Sequence, residues 1–556
     1  MTVANRRTNA NVAPASERSN VQPAKMRFTR FFCPLLAFVI MGGIASVRAA
    51  SSSTAPRPNV LLILVDDLGF SDVGAYGGEI RTPNLDRLAA EGLRFTQFYN
   101  CAVCVTSRAA MTTGLYPRQG KGGLLRDNMV TLGDVMRQAG YATALIGKWH
   151  LGGTPPLRPI DRGFDEHYGL LDGCSNHFNP AQPDPKFYNG GASRVFVHND
   201  RRITEFPPNF YSTDAFSERA VEFIRQGARA GRPFFLNLCY TAPHFPLHAP
   251  AEDVARYRGK YREGYDVVRA RRFQRQIELG IVDPAVTRLS AVDRKTGTFR
   301  YEYEVQPWDR LDAATRKREE ERMEVYAAMV DRLDQGIGRV LAALEESDAA
   351  RNTVVFFLSD NGGCASWPEN EAEFLAYNRE VPVGDARGYE FVGPGWGWAQ
   401  NAPFRRHKTW TYEGGICTPM IVRWPGVVAP GALTGATGHL VDFMPTLAEV
   451  AGGEYPRSIK GRAVPPMEGR SLLPALRGQA VDLRPRPLYW ELYGNRAIRD
   501  RDWKLVWGAS DRRWELYNLA TDRAETVNLA AGNPDRVAAM AADWMKWAEK
   551  TGAPGR

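Results

Sequence analysis

The stretch Asn59-Val60-Leu61-Leu62-Ile63-Leu64-Val65-Asp66-Asp67-Leu68-Gly69 decides the fold. Asn59 opens an unbroken aliphatic run from Val60 to Val65, and two acids follow at once. A strand with one wet face alternates apolar and polar residues. A strand covered on both faces does not, so this run predicts a buried strand of a parallel sheet packed between helices. Open α/β sheets bind ligands beyond the carboxyl ends of their strands, which is where Asp66 and Asp67 fall.

Three further runs share this texture: Tyr141–Ile146, Pro233–Tyr240 and Thr353–Leu358. Helical stretches lie between them. Pro83–Gly92 is one. A longer one runs from Thr315, read as its N-cap, to Leu344, with Met323, Tyr326, Val330, Leu333, Ile337 and Leu341 at helical spacing. Another strand, Met420–Trp424, precedes a helix over Leu440–Ala451. This alternation predicts an α/β fold with a large, mostly parallel sheet flanked by helices. The charged, weakly patterned stretch 251–315 reads as an insertion over that sheet. Beyond it, Leu488–Leu492, Asn495–Ile498, Trp503–Trp507 and Trp514–Asn518 are short, mostly aromatic-rich runs set apart by turn or charged residues. They predict a small C-terminal antiparallel sheet, covered by an amphipathic helix over Asp535–Lys550. The expected division is a large α/β domain over 50–480 and a smaller α+β subdomain over 481–556.

The N-terminus reads separately. Lys25, Arg27 and Arg30 precede an apolar run from Phe31 to Ile44, and Val47 and Ala49 sit as at a signal-peptidase site. Residues 1–49 are therefore expected to be a secretory signal peptide that includes an N-terminal extension ahead of an alternative start at Met26. The run is too short and interrupted for a stable membrane span. Removing its seven basic residues and one acid lowers the formal charge from +9 to +3. The high pI is then no argument for nucleic acid. An exported protein, periplasmic or extracellular, is expected. Six cysteines remain after cleavage, without metal-finger spacing and free to pair in an oxidising compartment.

All four apolar runs end in polar residues: Asp66-Asp67, Lys148-Trp149-His150, Thr241-Ala242-Pro243-His244, and Ser359-Asp360-Asn361-Gly362-Gly363. Taken singly, a strand-end aspartate caps a helix, Lys148 is a surface charge and His244 a turn histidine. Together they predict one assembled site. Three converging carboxylates repel unless a cation sits among them. Asp66, Asp67, Asp360 and Asn361 offer only oxygen, which suits calcium or magnesium, and the extracellular setting favours calcium. The two histidines are kept for acid–base work. A second cluster, Cys104-Val105-Thr106-Ser107-Arg108-Ala109-Ala110-Met111-Thr112-Thr113-Gly114, reads as a helix starting near Ser107. Cys104 is then close to a helix N-terminus that attracts anions, with Arg108 one turn on.

This cluster resembles the type I sulfatase signature, Cys-x-Pro/Ala-Ser-Arg followed by Leu/Met-Thr-Gly, through Cys104, Ser107, Arg108, Thr113 and Gly114. Val65–Gly69, Thr82–Asp86, Gly147–Gly152, Ser359–Gly362 and Lys408 before Tyr412–Gly415 also resemble the family, and Gly74–Thr82 and Asn401–Pro419 its bacterial arylsulfatases. Thr106 and Thr112 depart from the signature. The resemblance implies an alkaline-phosphatase-superfamily fold and a sulfuric ester hydrolase. It implies that a formylglycine-generating enzyme oxidises Cys104 to an aldehyde, and that Thr106 lowers the efficiency of that step.

The hydrated aldehyde would attack sulfur, with residue 104 joining Asp66, Asp67, Asp360 and Asn361 around Ca2+ (Mg2+ less favoured). Asp360 would act as base or hydrogen-bond acceptor, Arg108 would support the diol, and Lys148 and Lys408 would hold the sulfate. His244, helped by Lys408, would protonate the leaving alkoxide, and His150 would take the proton that releases sulfate. The substrate would be a sulfated small molecule or carbohydrate, its organic part held by Asn401, Arg405, Trp410, Glu491, Asn495 and Arg496. Two rival readings remain: a phosphate or phosphonate monoester hydrolase on the same fold, and a non-catalytic protein that binds sulfated glycans.

Overall fold

A computed structural model describes residues 57–117, 125–292, 295–297, 302–479 and 486–553. The expected signal peptide over 1–49 and the domain boundary at 480/481 lie outside these residues. Strands follow in the order β1 (Asn59–Val65), β2 (Leu93–Tyr99), β3 (Ala142–Gly147), β4 (Glu166–Leu170), β5 (Phe196–His198), β6 (Arg201–Ile203), β7 (Phe234–Cys239), β8 (Lys295–Gly297), β9 (Glu302–Glu304) and β10 (Thr353–Ser359). Then come β11 (Cys417–Arg423), β12 (Ala432–Thr434), β13 (Gly438–His439), β14 (Ser458–Ile459), β15 (Arg462–Ala463), β16 (Leu488–Leu492), β17 (Asn495–Asp500), β18 (Trp503–Trp507) and β19 (Trp514–Asn518).

The large sheet has the order β12-β2-β11-β10-β1-β7-β3-β4-β5-β6, with β13 also on β2. Its centre, β10-β1-β7-β3-β4, is parallel. The unalternating sequence of β1 has the expected cause. Leu61, Ile63 and Val65 face one core together with Met323, Val330 and Ile337 of the helix Ala313–Glu346. Val60, Leu62 and Leu64 face another core with Met111, Leu132, Phe443 and Leu447. Every β1 residue from Val60 to Val65 is at most 1% exposed, so helices cover both faces. The small sheet runs β16-β17-β18-β19, antiparallel throughout, and the helix Pro534–Thr551 packs on β17 and β18. Among the described residues no helix is long and apolar enough to cross a membrane, and the six cysteines there are unpaired and buried.

The structure corrects one helix start and adds two elements that apolar patterning does not show. The long helix begins at Ala313, and its cap is Asp312 rather than Thr315: the Asp312 carboxylate accepts the Ala314 and Thr315 N–H groups, and the Thr315 hydroxyl donates to it. The stretch 251–315 contains a regular helix, Gly264–Glu278, that turns Arg269 and Arg272 inward. Its buried face carries charge, so apolar periodicity does not reveal it. Arg272 meets Asp72 at 2.6 Å and Glu79 at 2.7 Å. Strand β2, with Arg94, Thr96 and Gln97 among its apolar residues, also escapes a search for unbroken apolar runs.

The two sheets are tied by buried charge. Lys504 on β18 lies 2.9 Å from Glu413 and 2.8 Å from Glu525, and Arg523 also pairs with Glu413. Burial opposes the Glu413 charge, yet Lys504 and Arg523 outweigh it and hold this carboxyl at about 2. Removing one partner of such a group strands the others without water. Lys504→Ala is expected to lower unfolding stability by about 3–5 kcal/mol, read from urea denaturation.

Candidate active site

The topology delivers six chain segments to one edge. β1, β10, β3 and β7 are parallel and end there with Asp66-Asp67, Asp360-Asn361, Lys148 and, a turn later, His244. β1 and β10 are in register through Val65 and Ser359, and the Asp360 N–H donates to the Val65 carbonyl at 3.0 Å. β11 runs antiparallel to β10, so the loop ahead of it, with Lys408, reaches the same edge. β2 is antiparallel to β11 in turn, and its carboxyl end feeds the helix Cys104–Thr113. That helix starts at Cys104 itself, three residues earlier than its sequence suggests. The Thr106 hydroxyl donates to the Cys101 and Val103 carbonyls, and Ser107 Oγ accepts the Cys101 N–H. These bonds fold the preceding turn onto the first helical turn, so the departure from Pro or Ala at 106 has a local structural use.

Each acid has its own base. Lys148 Nζ lies 2.6 Å from Asp66 Oδ2. Lys408 Nζ lies 2.6 Å from Asp67 Oδ1. Arg108 donates to Asp360 Oδ2 through Nε at 2.9 Å and to the Lys148 carbonyl through Nη1 at 2.9 Å. All six side chains are buried. The carboxylates are thus balanced by side-chain cations, and repulsion alone does not demand a metal. The remaining oxygens do the pointing. Asp66 Oδ1, Asp67 Oδ2 and Asn361 Oδ1 are buried without a hydrogen-bond partner among the described residues. Asn361 spends its amide N–H groups on Asp67 Oδ1 and the Gly362 carbonyl, which leaves its oxygen as an acceptor. Buried acceptors without donors are costly, and three of them from oxygen ligands fit a hard divalent cation. Asp66, Asp67 and His244 also offer ligand atoms within 4.8 Å of one another. Asp360 lies beside this group, with Oδ1 receiving the Asp67 N–H at 3.4 Å.

Burial, with Asp360 and Asp67 nearby, pushes the Asp66 carboxyl up to about 7 against the pull of Lys148. Burial also opposes the Asp67 charge, but Lys408 and His244 outweigh it and hold that carboxyl well below the usual range. Burial raises the Cys104 thiol, with Lys148 and Lys408 pulling the other way. His150 and His244 are both driven well below the usual imidazole range, first by burial and then by the neighbouring cations. Both are neutral at physiological pH. His244 Nδ1 is 2.6 Å from the Phe245 carbonyl, to which it donates, and Nε2 lies 3.5 Å from Asp67 Oδ2. Burial works against the Lys408 charge too, and Asp67 overcomes it, leaving that ammonium protonated far above neutrality.

The backbone is held in unusual conformations here. Asp67 (φ 68°), Ala102 (φ 63°), His150 (φ 62°) and Thr409 (φ 78°) are left-handed without being glycine, and such strain collects at functional sites. Gly147 (φ 107°) ends β3 where a Cβ would stand 1.8 Å from the Cys239 carbonyl oxygen, and the next N–H, that of Lys148, donates to this oxygen. Two braces were not legible as functional. Asp72 Oδ2 accepts the Gly69 N–H and the Tyr326 hydroxyl, both at 2.7 Å, and thereby fixes the loop after Asp67. His177 Nε2 lies 3.1 Å from the His244 carbonyl, and its Nδ1 lies 3.0 Å from Ser212 Oγ. Both braces span residues far apart in sequence and follow no motif.

Cys104, His150, His244 and Lys408 line one cavity of about 510 Å³. Its outer wall comes from Gly173–Cys174, Phe187–Asn189, Arg194, Ser366–Glu369 and Phe391, with Tyr493 from the small sheet. None of the six residues expected to hold the organic part of the substrate is in this lining. Asn401 is fully buried and bonds to Gly363 and Gly397. Arg405 pairs with Glu515, Asn495 bonds to the Thr409 carbonyl, and Arg496 lies over Trp507 and Trp544. Trp410 and Glu491 are buried. Arg405 and Asn495 thus tie the small sheet to the loop ahead of β11.

Residues 58–453 match the family model described as Sulfatase, and 404–546 match that of the N-sulphoglucosamine sulphohydrolase C-terminal region. The chain is 34% identical to an uncharacterized sulfatase of Schizosaccharomyces pombe, over 89% of this chain and 94% of that one. It is 32% identical to the arylsulfatase of Klebsiella aerogenes, over 79% and 94% respectively. Among solved structures, that of Ps i-CgsB aligns with a TM-score of 0.65 at 26% identity, covering 90% of this chain and 94% of the other. With this fold, this motif order and these relatives, the chain belongs to the sulfatase family, on an alkaline-phosphatase-like fold, and is a sulfatase that hydrolyses sulfate esters.

Proposed function

We propose that the chain cleaves sulfate monoesters with a formylglycine made from Cys104, assisted by one calcium ion. The observation that carries this is the position of Cys104: first residue of its helix, in the cavity of His150, His244 and Lys408, and in the field of Asp66 and Asp360. Asp66, Asp67 and Asn361 would hold the ion through their partnerless oxygens, with Asp360 beside them. Calcium, when bound, supplies positive charge that polarises oxygen and stabilises anions.

The chain's own groups divide the rest. Lys408, which lines the cavity, and Lys148, buried behind it on Asp66, would supply positive charge to the sulfate, and Arg108 anchors Asp360 and the Lys148 backbone. His150 is neutral and its Nδ1 is buried without a partner among the described residues, which suits a base. Lys408 carries a standing proton. His244 becomes an acid only on taking a second proton at Nε2, a step that an entering anion favours. The leaving oxygen is thus protonated from the Lys408–His244 side, and His150 accepts the proton that frees sulfate. The maturing partner is a formylglycine-generating enzyme, and the setting is outside the cytoplasm, as the N-terminal segment suggests. A sulfated small molecule or carbohydrate is the substrate. A second structure of Ps i-CgsB holds k-i-k-neocarrahexaose, which favours a sugar.

Mass spectrometry of the peptide containing residue 104 tests the nucleophile. After coexpression with a maturing enzyme a fraction of the peptide is expected to show the small mass loss of thiol-to-aldehyde oxidation. Cys104→Ala is expected to lower turnover of 4-nitrophenyl sulfate by roughly 10³-fold or more while circular dichroism stays native, and aryl phosphate is expected to be the poorer substrate of the wild type. Retained sulfate hydrolysis in Cys104→Ala would overturn the assignment. His150 offers a second test, because a Cβ at Gly173 would stand 2.8 Å from its Cε1 and Nε2. Gly173→Ala is expected to cut kcat by about 10–100-fold through displacement of the ring, with unfolding stability nearly unchanged.

A further inference from the structure

The turn that carries His244 is closed by its own backbone and pinned from outside. The His244 N–H donates to the Thr241 carbonyl at 3.1 Å, and the His244 carbonyl lies 3.1 Å from His177 Nε2. A carbonyl only accepts, so His177 Nε2 carries the ring proton. Burial pushes the His177 imidazole down to about 3, so the ring is neutral and Nδ1 is left as an acceptor. Ser212 Oγ, 3.0 Å from that Nδ1, is therefore the donor. Ser212 Oγ also lies 3.4 Å from Thr241 Oγ1, and the Ser212 N–H donates to the His177 carbonyl at 2.9 Å. His177 is set in turn by His248, whose Nδ1 accepts the His177 N–H at 3.3 Å and whose Nε2 donates to the Gly388 carbonyl at 3.0 Å. All five side chains are buried, and of these residues only His244 lines the cavity.

We propose that His177, with its tautomer fixed by Ser212, is a positioning residue that aims His244 at the leaving oxygen. This rests on the reading of His244 as part of the group that protonates that oxygen. The bond from His244 Nδ1 to the Phe245 carbonyl ties the ring to its own main chain. The peptide between the two residues is the one whose oxygen His177 holds. Rotation of that peptide swings the Phe245 carbonyl and the ring together, and a displacement of about 1 Å costs roughly 10²-fold in rate. The cost falls unevenly. A basic leaving oxygen depends on the proton it receives, whereas 4-nitrophenolate departs with little help. A general defect of the scaffold slows every ester alike, but a misaimed acid slows the poor leaving groups most.

The test measures kcat and KM of the matured enzyme on a series of aryl sulfates, from 4-nitrophenyl sulfate to phenyl sulfate. His244→Ala sets the benchmark, with a loss expected to be at least about tenfold larger on phenyl sulfate than on 4-nitrophenyl sulfate. His177→Phe keeps a ring and removes both nitrogens. It is expected to lower kcat on phenyl sulfate by about 10–100-fold, with the same bias across the series and KM within about twofold of wild type. Ser212→Ala releases the tautomer and is expected to show the bias with a loss of about three- to tenfold. His177→Gln keeps a donor toward the His244 carbonyl and is expected to recover to within about fivefold of wild type. If His177→Phe does not fold, Ser212→Ala decides alone. Losses at 177 and 212 that are equal across the series, beside a biased His244→Ala, would overturn the proposal and leave the role of His244 intact. An unbiased His244→Ala would overturn that role and this inference with it.

Discussion

Three carboxylates held out of water at one edge of a parallel sheet are the constraint around which the molecule is built. An ion taken from water costs several kcal/mol even after the protein relaxes. Asp66, Asp67 and Asp360 are each matched by one basic group, Lys148, Lys408 and Arg108. No two of these three bases come from the same segment. One follows β3, one precedes β11 and one sits on the helix after β2. The site therefore exists only when the sheet is assembled, and the sheet's order explains why it is assembled there. The two antiparallel neighbours of β10 and β11 are what bring Lys408 and Cys104 to an edge otherwise made by parallel strands.

The balance has a chemical consequence. With acids and bases matched, any bound cation adds net positive charge. That is the polarity a sulfate ester needs. The site is also stiff. Asp67, His150 and Thr409 hold left-handed backbone, and buried braces fix the neighbouring loops: Asp72 with Tyr326 and Arg272 on one side, His177 with Ser212 on the other. The extra charge on the helix Gly264–Glu278 belongs to this scaffold. Arg272 reaches across to Asp72, so a segment that looks like a surface insertion supports the loop after the first strand.

Much of this was legible in the sequence because its signal is local. β1, β16, β18 and β19 occur at the boundaries their patterns suggest, and each inner-site residue follows a buried strand or sits in a compact motif. The failures share a cause. β2 alternates polar and apolar residues, the Gly264–Glu278 helix buries arginines, and the outer wall of the cavity comes from loops at 173–194 and 366–369 that have no periodicity. Of the residues first read as substrate contacts, Arg405 and Asn495 are polar because they tie the small sheet to the loop ahead of β11, and Arg496 packs on tryptophans of the small sheet and its helix. Polarity in a loop near a site does not distinguish a ligand contact from a structural one. Only the partner does, and the partner is remote in the chain.

The central claim is that Asp66, Asp67 and Asn361 turn their partnerless oxygens toward one hard cation. Calorimetric titration of the chelator-treated protein with Ca2+ tests it most directly. The account predicts a single site per chain, lost in Asn361→Leu at unchanged secondary structure. No binding by the wild type, or binding indifferent to that substitution, would contradict it.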